Sequence, residues 1–202
     1  MPLAHEGVHV VGIDRSAEML LRARRRVRRQ RRGRRPDLLR GDIRHLPLAD
    51  AGFQMVMAPY GVLQSLLSER DLKATLAEVG RVVEPDGIFG LELVADLPSW
   101  GEYAKRVSLR GRRGAGGSVT LVESVRQDRE KGLTIFDQEF IERRGRASRR
   151  HTFALTFRTL SVPQMTRRLA AAGFAVEALL GDYQGGPWDP RADVWIILAR
   201  KV

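Results

Sequence analysis

The feature that most constrains this chain is an exchange of short apolar runs with amphipathic helical patterns over residues 8–95. Residues 8–13 (VHVVGI) form an apolar run too short for a helix and closed by Asp14. That is the pattern of a strand buried in a parallel sheet. Ser16 then offers a helix cap, and Ala17, Leu20, Leu21, Arg24, Val27 and Arg28 recur at helical spacing. Gly33 and Pro36 end the helix. Residues 37–40 read as a brief strand before Gly41-Asp42, and residues 53–58 (FQMVMA) as another, stopped by Pro59. Residues 70–83 carry Leu72, Leu76, Val79 and Val83 on one helical face. Pro85-Asp86-Gly87 is a turn signal, and residues 88–95 (IFGLELVA) are strand again. Alternation of this kind predicts an α/β fold with a doubly wound, mainly parallel sheet. Its ligands belong at the carboxyl ends of the strands.

The character changes over residues 97–158. Residues 111–117 (GRRGAGG) read as a loop, and residues 118–126, 133–142 and 151–159 as three strands separated by polar turns. Strands this closely spaced predict a small antiparallel insertion. Residues 163–172 follow as a helix with Pro163 in its first turn and Gly173 past its end. Residues 174–180 and 193–200 are the closing strands.

A chain of 202 residues suits one domain, and its 43% hydrophobic and 29% charged content fits a globular class. Cysteine is absent, which excludes disulfides and thiolate catalysis. The four histidines lack ligand spacing, so no metal is expected. No apolar run reaches the ~18 residues of a membrane helix, and the N-terminus is not a signal peptide; no membrane partner and a cytoplasmic location are expected. The net charge of +11 hints at nucleic acid. However, residues 22–35 alone hold ten arginines and no acid, and outside them basic and acidic residues nearly balance. With 31 arginines, 4 lysines and no asparagine, the skew resembles a coding bias. The arginine helix reads as a solvated outer face, with an RNA-binding or RNA-modifying surface as the alternative.

The acids that follow strands carry the chemical signal. A carboxylate at Asp14 can accept both hydroxyls of an adenosine ribose, and one at Asp42 can accept from an adenine amine. Either residue alone could equally cap a turn; together they favour a nucleoside ligand. A strand-end aspartate also suits a nicotinamide dinucleotide, which leaves an oxidoreductase as a rival. No Gly-Lys-Ser/Thr phosphate loop and no G-x-S-x-G elbow occurs.

The ordered set VVGIDRSAEMLLRAR, LLRGDIRHLPL, FQMVMAPYGVLQSL and AEVGRVVEPDGIFGLELV resembles the class I S-adenosylmethionine-dependent methyltransferases over residues 8–95. The likeness resumes at FRTLSVPQMTRRLAAAGF and DVWIILARK, which resemble that fold's last helix and its antiparallel last strand. The resemblance implies a Rossmann-like fold, S-adenosyl-L-methionine as cofactor, and methyl transfer to N or O of a small-molecule acceptor. It implies that Asp14, with Arg15 beside it, holds the ribose and that Met19 packs by the adenosine. Gly41, Asp42 and Ile43 would frame the adenine, and Ala58, Pro59 and Tyr60 would line the methionine part and the methyl group. The family also has a first strand and Gly-rich loop of E/D-x-G-x-G-x-G type well before the position of Asp14. Here His5-Glu6-Gly7 resembles the end of the first helix. The expected domain over residues 1–202 is therefore N-terminally incomplete, its central strand absent between residues 8–13 and 53–58. Weak cofactor binding by this chain, or a degenerate non-catalytic module, is the matching expectation.

The insertion at 97–158 resembles the antiparallel sheet that sugar N,N-dimethyltransferases and glycine N-methyltransferases carry, which roofs an acceptor pocket or forms a homodimer. It makes Trp100, Tyr103, Phe140, His151 and Arg158 candidates to face an acceptor, each with a plain packing role as the alternative. Tyr60 and His151 are the candidate catalytic bases.

Overall fold

The computed structural model describes residues 2–29, 33–94, 102–114, 116–192 and 194–202. A short helix α1 (Pro2–His5) leads to β1 (Val11–Asp14), α2 (Ala17–Arg28) and β2 (Asp37–Arg40). Next come β3 (Phe53–Ala58), a 3-10 turn (Val62–Ser65), α3 (Glu69–Val82) and β4 (Val83–Val94). The chain then runs through β5 (Tyr103–Arg113), β6 (Gly117–Asp128), β7 (Leu133–Arg144) and β8 (Ala147–Arg158), and closes with α4 (Val162–Ala171), β9 (Phe174–Leu180) and β10 (Val194–Lys201).

β1 pairs in parallel with β2, Asp14 opposite Arg40. β3 pairs in parallel with β4, Ala58 opposite Leu91, and the order continues β3-β4-β10-β9 with β10 antiparallel to both neighbours. The mainly parallel arrangement with an antiparallel last strand is thus present, but in two pieces. β1 is the last strand of one sheet and β3 of the other. A cavity of about 430 Å³ separates them, lined by Val11 and Ile13 on one side and Met55, Met57 and Ala58 on the other.

The helices form where their sequences supply caps. Ser16 Oγ accepts from Met19 N at the start of α2, and Ser68 Oγ from Asp71 N at the start of α3. Ser161 and Gln164 close a reciprocal capping box on α4. On α3, Leu72, Leu76 and Val79 recur one turn apart and pack with Met165 and Leu169 of α4 in a core that includes Phe89, Leu91, Leu93 and Ile197. Phe89 and Phe174 meet at 5.7 Å between ring centroids. On α2 only Leu20 and Val27 are buried, and its arginines are exposed.

β5–β8 form a separate four-stranded antiparallel flap in sequential order. The sequence reading gave it three strands. The fourth, β5, was hidden because its register breaks between Val107 and Leu109 and because Lys105 has φ +53. A bulge of this kind destroys the alternation by which a strand is read. β5 also takes Gly111–Arg113 from the expected loop.

Two contacts tie the flap to the sheet. Gln64, 3% exposed, donates from Nε2 to the carbonyls of Val94 (3.1 Å) and Arg158 (3.2 Å), and its Oε1 accepts from Val94 N at 2.7 Å. Glu69 on α3 accepts from Arg158 of β8 at 2.9 Å and from Arg168 of α4 at 3.0 Å. Hydrogen bonds from Arg168, then from Arg158, lower the Glu69 carboxyl from 4.5 to about 2. The folded carboxyl is the stronger acid, so its contribution is complete above the unfolded value and is lost as pH falls towards 2. Glu69→Gln should therefore lower the urea midpoint above pH 5, and the gap from the parent should shrink on acidification. A gap independent of pH would contradict the assignment.

Candidate functional site

The carboxyl ends of β1, β2, β3 and β4 carry the residues that could meet a ligand. Asp14 closes β1; its Oδ1 accepts from Ser16 N at 2.7 Å, and no bond is recorded for Oδ2 among the described residues. One oxygen is thus spent on the turn and one remains open. Arg15 is exposed and its carbonyl accepts from Arg40 Nε at 3.2 Å. Met19, 50% exposed, sits in the first turn of α2. Gly41 donates from its N to the Asp14 carbonyl, and a Cβ there would come within 3.0 Å of Pro47 and 3.2 Å of Ile13, so a side chain would press on both.

Asp42 is held by its neighbour Arg44. Arg44 donates to it three times, from its backbone N and Nε to Oδ1 (both 3.0 Å) and from Nη2 to Oδ2 (2.7 Å). Those bonds hold the carboxyl well below the usual carboxylate range. Arg44 also reaches Asp71 at 3.0 Å. Arg44 thereby ties this loop to α3, while Oδ2 of Asp42, which takes one bond, keeps a lone pair. The neighbouring Ile43, which lines the cavity between β1 and β3 with Ala58 and Pro59, is the residue placed to touch a flat apolar ring.

Past Ala58 the chain makes a strained turn. Tyr60 and Gly61 have φ +57 and +64 in succession. A residue with a Cβ in that region is uncommon, and such strain gathers at functional positions. A Cβ on Gly61 would lie 2.8 Å from Gln64 Oε1 and 3.0 Å from Val94 Cγ2, so the turn is packed against the end of β4 and leaves Tyr60 79% exposed.

The strand registers place Tyr103, Phe140 and His151 on one face of the flap, through Tyr103 opposite Val125, Leu121 opposite Phe140 and Phe140 opposite His151. Phe140 and Phe153 meet edge to face at 5.8 Å on that side. Tyr103 donates to Glu123 Oε1 at 2.7 Å, and Gln138 to its other oxygen at 2.7 Å. Arg158 does not join them. It lies opposite Leu133 on the other face, and its Nη2 is committed to Glu69. Nor do the two candidate bases meet. His151 stands seven residues before Arg158 along an extended strand, roughly 20 Å from the end that Gln64 holds beside the Tyr60 turn. Trp100 lies outside the described residues.

Two groups at this rim escaped the sequence reading. Glu92 lies inside the apolar run of β4, and Tyr183 in the loop after β9; the Tyr183 hydroxyl donates to Glu92 Oε2 at 2.8 Å. The only signal was an acid interrupting an apolar strand near its carboxyl end. A hollow of about 500 Å³ lies at the flap tip among Arg113, Arg143 and Arg149, in the gap between two hairpin turns and away from the strand ends. Among the described residues no His, Asp or Glu cluster could hold a metal, and no helix is long and apolar enough to cross a membrane.

Residues 1–87 match the family model described as a methyltransferase domain. A demethylmenaquinone methyltransferase of Lactobacillus johnsonii is 34% identical over 83 residues, 41% of this chain and 32% of that protein. The chain thus spans about a third of the length of that relative. Among solved structures, an S-adenosylmethionine-dependent methyltransferase from Clostridium acetobutylicum aligns over 98% of this chain and 77% of its own, with TM-score 0.81 at 17% identity. The chain has the fold of the class I S-adenosylmethionine-dependent methyltransferases. The sugar N-methyltransferase KedS8 from Streptoalloteichus shares it over 95% of this chain and 71% of its own, with TM-score 0.74 at 14% identity. In this methyltransferase fold, Ile43, Ala58 and Pro59 line the cavity between β1 and β3, Asp14 closes β1, and Tyr60 follows β3.

Proposed function

We propose that this chain takes part in methyl transfer from S-adenosyl-L-methionine to a nitrogen or oxygen of a small-molecule acceptor. The observation that carries the reading is the open carboxylate oxygen of Asp14 at the strand end beside an apolar cavity bounded by Ile43, Ala58 and Pro59. This donor set fits an adenosyl group: a charged acceptor for ribose hydroxyls next to apolar side chains for the base. When bound, the cofactor supplies a methyl group already activated by its sulfonium charge. Asp14 would hold the ribose, Ile43 would pack on the adenine, and the Pro59–Tyr60 turn would face the acceptor side. The protein's main contribution is then alignment, worth up to ~7–11 kcal/mol in favourable cases. Similarity to a sugar N-methyltransferase supports a small acceptor.

The flap is read as the part that governs the acceptor, because its aromatic face contains none of the residues assigned to the cofactor. Replacing residues 111–150 by a short Gly-Ser linker should leave S-adenosylhomocysteine affinity within about threefold of the parent, as expected for distant sites that do not share partners. The same change should abolish turnover or alter acceptor preference. Calorimetry and a labelled-methyl assay read the two outcomes separately. Equal loss of both would mean that the flap merely holds the fold together.

A further inference from the structure

We propose that Glu92, held by Tyr183 and beside the Tyr60 turn, binds the ammonium form of an amine-bearing acceptor, whose nitrogen gives up that proton before it takes a methyl group; this deepens the methyl-transfer reading by naming the acceptor class, and rests on it. Glu92 sits two residues before the carboxyl end of β4, between the buried Leu91 and Leu93. It is therefore on the opposite face of the strand from the core side chains, and it is half-buried. Ala58 pairs with Leu91, which brings the Pro59–Tyr60 turn alongside this stretch of β4. The packing of Gly61 on Val94 fixes that turn.

The charge balance makes Glu92 unusual. The chain has 35 basic residues against 24 acidic ones. Even so, among the described residues Glu92 has no basic partner, and its one recorded bond comes from the Tyr183 hydroxyl. That bond pushes the Tyr183 hydroxyl up from its ordinary value, already above neutral pH, and the phenol is the donor to Glu92. Tyr60 and Tyr183 are 79% and 65% exposed, both large exposures for aromatic rings. A half-buried carboxylate with no basic partner among the described residues, bonded to one accessible phenol and on the strand beside the turn that carries another, is complementary to an ammonium group. Coulomb attraction acts on its charge, and the ring faces add cation–π attraction. A neutral hydroxyl gains neither. The positive φ of Tyr60 puts strain where this ring is presented.

The chain has three tyrosines, so selective ring labelling of the full chain yields a readable spectrum. Titration with cyclohexylammonium should move the signals of Tyr60 and Tyr183 and leave that of Tyr103, in the flap, in place. Cyclohexanol, similar in shape and uncharged, should bind at least tenfold more weakly. Glu92→Gln keeps an oxygen for Tyr183 and removes the charge; it should weaken the ammonium by tenfold or more and leave cyclohexanol unchanged. Equal binding of the two probes, an unchanged affinity in Glu92→Gln, or shifts at Tyr103 alone would overturn the proposal. S-adenosylhomocysteine is titrated into the same sample by calorimetry. Its failure to bind would count against the methyl-transfer reading, while the ring shifts still decide the amine site.

Discussion

Asp14→Ala is expected to lower affinity for S-adenosylhomocysteine by one to two decades. The carboxylate stands at the end of β1 with Oδ1 on Ser16 N and Oδ2 open. Hydrogen bonds to a charged group contribute roughly 1.5–3 kcal/mol, and each ~1.4 kcal/mol is a factor of ten. The fold should survive, because Ser16 still caps α2 and the β1–β2 ladder uses backbone groups. Calorimetry together with circular dichroism separates the two effects. Unchanged affinity in a folded variant would mean that the nucleoside lies elsewhere.

The second large effect is on stability. Gln64→Leu is expected to cost roughly 2–4 kcal/mol, since it strands the amide and carbonyl of Val94 and the carbonyl of Arg158 while keeping the apolar volume. The loss should centre on the root of the flap. Hydrogen exchange should rise at Val94 and along the last residues of β8, and little along α4. A variant as stable as the parent would show that these groups find water or other partners without Gln64.

What could be read in advance follows from how far the informative residues lie apart. β2, β3 and β9 match their predicted bounds because each is a short run closed by a glycine, a proline or a loop. Asp14 and Tyr60 were legible because a strand end marks them. The clamp of Glu69 on Arg158 and Arg168 spans 89 and 99 residues, and no local pattern announces it. Arg158 consequently looked free to meet an acceptor. Nothing local in the sequence says that Arg44 folds back on Asp42. His151 and Tyr60, each a candidate base by its chemistry, stand apart by much of the length of β8. Glu92 was obscured by the apolar run that contains it.

The adenosyl group is expected at the carboxyl ends of β1 and β3. Irradiation of the chain with radiolabelled S-adenosylmethionine, followed by peptide mapping, tests this most directly. The account predicts label in the peptides that carry Asp14–Met19 or Ala58–Tyr60, removed by excess S-adenosylhomocysteine and unaffected by NADH. Label confined to the arginines of the flap tip, or displaced by NADH instead, would contradict it.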